Sequence, residues 1–233
     1  MSYAFTFDAR FCSGCKACQA ACKDKNNLPL GVLWRRVYEV SGGTWQKDGE
    51  VWNHTIFAYN LSVACNHCIH PKCAGICPAN AYIVRDDGIV ILDIDKCIGC
   101  GYCSWACPYG APQYNAEAGH MTKCNFCYDN LDQGLSPACV AACPMRVLDY
   151  GEATTELLVA NRLALWDAPP EEHPYPLPNY SHTQPRVAIK PHPAMNATEK
   201  KFVANIEEIQ PHIPSAWEDV PLILFTLFTQ SAV

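Results

Sequence analysis

Sixteen of the 233 residues are cysteines, and their spacing is where this chain can do chemistry. Cys97, Cys100, Cys103 and Cys107 follow the pattern C-x2-C-x2-C-x3-C and run into Pro108. Three thiolates so spaced hold one iron–sulfur cube, while the fourth ligates a different cube. Such a motif is incomplete alone, and three further copies complete it. Cys65, Cys68, Cys73 and Cys77 repeat it with a longer loop and Pro78 at the end. Cys12, Cys15, Cys18 and Cys22 repeat it with Lys23 in the proline position. Cys124, Cys127, Cys139 and Cys143 carry eleven residues between the second and third cysteines, then Pro144. The quartets use every cysteine, and four ligands per cube imply four 4Fe–4S clusters, with iron held by these same sixteen residues.

Two other uses of cysteine fit less well. Disulfides between residues three apart would lie in one tight turn and constrain little of the unfolded chain. Structural zinc sites are built from two separated C-x2-C pairs, not from triplets with an offset fourth cysteine before proline. The formal charge of −6 becomes more negative with thiolate-bound clusters, which argues against a nucleic-acid partner. No nucleophile–base pair and no phosphate-binding glycine loop is present. Gly99, Gly101 and Gly110 are explained by the cluster loops. The chain is therefore expected to carry no active site of its own. Met1–Asp8 shows no secretory signal, and no apolar run reaches the roughly 20 residues that span a bilayer.

The elements that must position the thiols are short. Tyr3 to Phe11 alternates like a strand, and Cys18 to Lys25 reads as a helix. Residues 28–60 lack cysteine; Arg35–Val40 and Val51–Tyr59 read as strands, with turns at Gly42-Gly43 and Asp48-Gly49 and a core of their own aromatics. Arg35 and Arg36 read as solvated or interface residues. Residues 65–107 resemble a two-cluster ferredoxin, with a helical turn at Ala79–Val84 and a hairpin turning at Asp86-Asp87-Gly88. His67, His70 and His120 read as loop residues, because the cysteines already fill the ligand set. Lys123 either raises a cluster potential by its charge or is a surface lysine. The eleven residues after Cys127 read as a loop. Residues 153–166 suggest a helix, and eight prolines within 168–196 suggest an extended arm along a partner surface.

Longer stretches resemble the electron-transfer iron–sulfur subunit of the anaerobic dimethyl sulfoxide reductase family. They are Cys12–Lys16, Cys22–Asp24, Arg35–Glu39, Cys97–Cys100, Ala106–Asn115 and Gly119–Cys124, within a likeness covering about residues 3–195. In the nitrate reductase relative, a tryptophan in the third motif leaves a 3Fe–4S cluster; Cys103 stands there here, so four cubanes are implied. The resemblance pairs motif one with four and two with three. Cluster one would then use Cys12, Cys15, Cys18 and Cys143, and cluster two Cys124, Cys127, Cys139 and Cys22. Cluster three would use Cys65, Cys68, Cys73 and Cys107, and cluster four Cys97, Cys100, Cys103 and Cys77. Cluster one would face a molybdopterin catalytic subunit, and cluster four a quinol-oxidising membrane anchor.

The implied fold is α+β: two pseudo-symmetric ferredoxin-like double-cluster modules, a β-hairpin insertion and an extended proline-rich arm. Residues 1–27 with 109–150 form one module and 65–108 the other. Residues 28–64 are the insertion, 151–196 the helix and arm, and 197–233 an apolar-ended tail. Trp217–Val233 resembles the start of the family's membrane anchor, as if two subunits were fused, and would bring the tail to the membrane. The expected function is electron relay toward reduction of dimethyl sulfoxide or a similar oxide. Alternatives are the equivalent subunit for formate, polysulfide, thiosulfate or arsenic-oxyanion chemistry, a free soluble ferredoxin and, more remotely, a zinc scaffold. The expected location is the membrane surface, with export beside a signal-bearing catalytic subunit to the periplasmic side; the cytoplasmic side is the alternative.

Overall fold

A computed structural model describes residues 2–153, 183–196 and 201–203. The alternating N-terminal segment forms strand β1 (Tyr3–Asp8), which buries Phe5 and Phe7. It is the middle of three strands. On one side β10 (Leu148–Glu152) pairs antiparallel with it, and on the other β11 (Val187–Lys190) pairs parallel. The described end of the proline-rich arm therefore lies on the chain's own first strand. The apolar Val187, Ala188 and Ile189 are buried there. The helix expected at 153–166, most of the arm and the tail lie outside the described residues.

Helix α1 (Ala17–Lys25) follows the first cysteine loop. Lys23 in its last turn ties the following loop back to the helix, its Nζ donating to the carbonyls of Leu28 at 2.8 Å and Pro29 at 2.5 Å. The cysteine-free insertion is more elaborate than one hairpin. β2 (Arg36–Gly42) pairs antiparallel with β5 (Phe57–Val63), and β12 (Lys201–Val203) adds to the other side of β2. The strand expected over Val51–Tyr59 is split at Thr55-Ile56. Its first half, β4 (Val51–His54), pairs with β3 (Trp45–Asp48) in a separate outer hairpin. Trp45, Val51 and Trp52 there are exposed, so they form no core; the buried apolar side chains of the β2–β5 pair are Val37, Val40, Tyr59 and Leu61. A two-stranded ribbon beyond the sheet has no layer to pack against.

The remaining elements are single turns and short hairpins. α2 (Lys72–Gly75) precedes the hairpin β6 (Tyr82–Val84) and β7 (Val90–Leu92). The helical turn expected at Ala79–Val84 does not form: Pro78-Ala79 is a tight turn, Asn80 has a positive φ of 47° and Tyr82–Val84 is strand. α3 (Tyr102–Ala106), the hairpin β8 (Gln113–Asn115) and β9 (His120–Thr122), α4 (Tyr128–Leu131) and α5 (Ala138–Ala141) complete the chain up to β10. The segment after Cys127 thus begins as a helical turn before Gly134 opens the loop. α1 packs on α5, and α2 on α3. The main core gathers Phe5, Phe7, Val37, Val40, Leu61 and Phe126 around several of the cysteines.

Candidate metal centres

Four of the helices each carry a thiol followed by another four residues on, which one turn places on the same face. On α1 these are Cys18 and Cys22, and from α5 they are Cys139 and Cys143; all four are buried. The same spacing relates Cys73 on α2 to Cys77, and Cys103 on α3 to Cys107. The C-x2-C loops share a backbone signature: the residue before the second cysteine has positive φ in all four, at Gly14 (68°), His67 (42°), Gly99 (72°) and Phe126 (63°). This left-handed turn aims successive N–H groups to one side and makes a concave seat for an anion. At Gly14 and Gly99 a side chain would also strike Asn60 Oδ1 or the Gly119 carbonyl, each at 2.5 Å. His67 and Phe126 accept the strain without glycine. Phe126 is held by a stacked contact with Phe5, centroids 4.0 Å apart.

All sixteen thiols are free. Among the described residues no three ligand side chains converge closely enough to hold a single ion; the thiols instead ring cavities. One is lined by Cys65, Cys68, Cys73 and Cys107, with Lys123 and Thr183. A second is lined by Cys12, Cys15, Cys18 and Cys143, with Ser62. Cys22 lies in the electrostatic field of Cys139 and Cys127, and Cys124 in that of Cys22 and Cys139. Cys103 interacts with Cys100 and Cys97. Ringed cavities with curled backbone amides suit iron–sulfur cages. When bound, such cages exchange single electrons.

The groups form a row. Cys18 interacts with Cys139, Cys124 with Cys65, and Cys73 with Cys103. Exposure follows the row: only Cys15 and Cys100 are exposed, whereas Cys22, Cys124, Cys127 and Cys139, and Cys65, Cys68, Cys73 and Cys107, are all buried. Burial raises their pKa: Cys22 and Cys73 are each pushed up to about 12, and Cys107 to about 11. Burial raises Cys124 and Cys68 as well. These groups are thiols without metal, and iron must displace their protons.

Several polar residues near the thiols depart from the expectation of a surface or loop position. Arg35 and Arg36 are not solvated: they are 2% and 4% exposed. Lys123 is buried, its Nζ donating to the carbonyls of Val90 and Cys124. His67 is buried, and its Nδ1 accepts the Val90 N–H at 3.0 Å, so a neutral ring carries its proton on Nε2. Burial, aided by Lys123, Arg186 and Arg35, keeps its pKa well below the usual histidine value. The Tyr82 hydroxyl is buried against Cys103. The Tyr109 hydroxyl shares a 2.5 Å hydrogen bond with Thr183 beside Cys68. Adjacency to a cysteine is the sequence signal for Lys123; nothing local marks Arg35, Ser62 or Thr183, which arrive from distant segments.

The chain aligns with the iron–sulfur subunits of anaerobic reductases over most of its length. It is 45% identical over 209 residues to an anaerobic dimethyl sulfoxide reductase subunit of Escherichia coli, covering 89% of this chain and 98% of the relative. The chain belongs to this family. At 46% over 209 residues, with the same coverage, it is equally similar to YnfG of Escherichia coli, a probable anaerobic dimethyl sulfoxide reductase subunit. The formate dehydrogenase iron–sulfur subunit of Wolinella succinogenes is 35% identical over 183 residues, covering 69% of this chain and 86% of that one. The 4Fe–4S dicluster domain matches residues 56–153. Dimethyl sulfoxide reductase-type iron–sulfur subunits transfer electrons, and this chain is one of them.

Proposed function

We propose that the chain holds four 4Fe–4S clusters, in the ligand sets that the family resemblance implies, and relays electrons between a quinol-oxidising membrane anchor and a molybdopterin catalytic subunit. The terminal acceptor in this reading is dimethyl sulfoxide or a similar oxide. Relatives named for dimethyl sulfoxide outrank the formate dehydrogenase subunit in identity, 45% against 35%, which favours that substrate class over formate. Two ferredoxin-like modules related by pseudo-symmetry fit the packing of α1 on α5 and of α2 on α3.

The observation that carries the reading is the grading of exposure along the row. Interior thiols are buried, and one thiol at each end reaches the surface. A scaffold that only stored iron would need no such ends. The residues around the two ends differ as two different partners require. Near Cys100 the surface is apolar, with Ile94, Ile98, Tyr102 and Trp105 each 47% exposed or more. That suits an anchor in the bilayer and a location at the membrane surface, on the periplasmic side in this reading. Near Cys15 the exposed Arg10, Lys16 and Arg146 stand among Phe11 and Met145, a mixed and basic surface, whereas the exposed charges near Cys100 are Asp95 and Lys96; the basic end suits a soluble catalytic subunit. The chain's own part in this reading is to bind, space and insulate the clusters.

Anaerobically purified complex should contain about sixteen iron and sixteen labile sulfide per chain and show four one-electron transitions. A colourless protein binding zinc, or one with two clusters' worth of iron, ends this reading.

A further inference from the structure

The ligand motifs leave without a role a positive charge buried between the first and fourth of them. Arg35 sits just before β2, in a segment held from three sides. Trp34 Nε1 donates to Thr122 Oγ1 at 3.0 Å, the Leu33 backbone exchanges hydrogen bonds with Gln113, and the Val37 N–H donates to Gln19 on α1. The Arg35 guanidinium lies over the Phe5 ring, Cζ 4.6 Å from the centroid. Nη1 donates to Ser62 Oγ at 3.2 Å, while Nε and Nη2 are buried with no hydrogen-bond partner. The charges that act on it are thiols: Cys139, Cys124, Cys18 and Cys22. Its backbone N–H also donates to Cys22. A buried guanidinium with two idle nitrogens is costly unless negative acceptors face them.

Ser62 extends the reach. β2 and β5 place Val37 opposite Ser62, which brings the serine beside Arg35. Because Ser62 Oγ accepts from Arg35, its hydroxyl proton is free to donate to Cys18 Sγ, 3.4 Å away. The cysteine-free insertion thus delivers both groups into the gap between α1 and the fourth motif.

We infer that Arg35 is a positioning residue shared by the first two clusters, its Nε–H and Nη2–H turned to the sulfurs of the second and its charge relayed through Ser62 to the ligand Cys18 of the first, so that one cation raises both reduction potentials. An added electron makes a cluster more negative, and a nearby positive charge favours that state. The thiols that act most on Arg35 belong to the ligand sets of clusters one and two, and toward the third set its field reaches the neutral His67 ring rather than a ligand. The inference rests on the four-cluster reading, and iron content tests that separately.

R35Q, R35K and S62A are compared with the wild type in the whole complex, by iron analysis and by redox-poised electron paramagnetic resonance. R35Q should keep its iron and move the first two midpoints negative. The shift should be at least tenfold in the oxidised-to-reduced ratio at fixed potential, or 59 mV for one electron. Clusters three and four should stay in place. R35K should shift the same two by less, and S62A the first alone. Four unchanged midpoints in iron-replete R35Q, or an equal shift of all four, overturns the inference. So does iron loss in R35Q that R35K does not restore, because Arg35 would then serve packing alone. If R35K restores the iron, its own midpoints decide by the same criterion. Wild-type iron well below sixteen overturns the four-cluster reading instead.

Discussion

The half of the molecule built on α1 and α5 and the half built on α2 and α3 use the same cysteine spacing but are held differently. The first shares the main core, where Phe5, Phe7, Val37, Leu61 and Phe126 pack around the thiols. The second reaches that core only through Cys65, Ile89 and Cys107, and beyond it has a satellite core of three buried residues, Cys73, Cys103 and Met121, of which two are thiols. Its outer side chains, among them Ile76, Ile98 and Trp105, face solvent. The contrast teaches that a ligand motif fixes where metal goes but not what stabilises the protein around it. One half leans on polypeptide packing; the other leans on its clusters and on whatever covers it.

Removing iron should break the two halves apart in stability, and this is the largest effect expected. A small domain stapled by metal loses its fold with the metal. Amide protection should collapse across residues 72–107 in the metal-free chain, while β1, β2 and β5 keep part of theirs; hydrogen exchange by mass spectrometry reads this directly. Equal loss in both halves would erase the distinction.

Phe126→Ala is next. It removes a fully buried ring stacked on Phe5, and a large-to-small core change of this kind costs about 3–5 kcal/mol, here measured by denaturant unfolding. Trp105→Ala, 50% exposed, should change the isolated chain's stability by no more than about 0.5 kcal/mol and instead weaken binding of the membrane partner. A Trp105→Ala variant as unstable as Phe126→Ala would contradict the division.

The pH dependence sharpens the same comparison. Cys22, Cys73 and Cys107 have folded-state pKa values raised above 9.0, to about 12, 12 and 11, so the folded metal-free chain holds more protons than the unfolded one. Their stabilising effect is full below pH 9.0 and is lost as pH climbs toward about 12. Metal-free protein should therefore unfold as pH rises through that window. Iron binding needs thiolates and should strengthen over the same range. Circular dichroism and iron titration at stepped pH check both signs. The smallest effect is at the surface: Asp129→Asn breaks the ion pair with Lys25 between two partly exposed side chains and should cost about 0.2–1 kcal/mol, less in high salt.

The candidate ligands were legible because a cube imposes spacing on the chain: the four cysteine quartets can be counted without any fold. Strand β1, helix α1 and the hairpin β6–β7 were legible for a similar reason, since alternation, helix formers and an Asp-Gly turn are local signals. The split of Val51–Tyr59 was not, because its two halves choose different partners across the sheet. Nor was the docking of Val187–Lys190 on β1, which joins residues about 180 apart in the chain.

By itself the sequence determined that iron–sulfur chemistry belongs here, which cysteines are candidates to hold the metal, and which family the chain joins. Only the tertiary structure decided which thiols are buried and which reach the surface, and that Arg35, Lys123 and His67 lie inside among them. Ligand spacing is a property of a few consecutive residues. Burial, and the electric field a cluster feels, are sums over groups that meet only once the chain has folded.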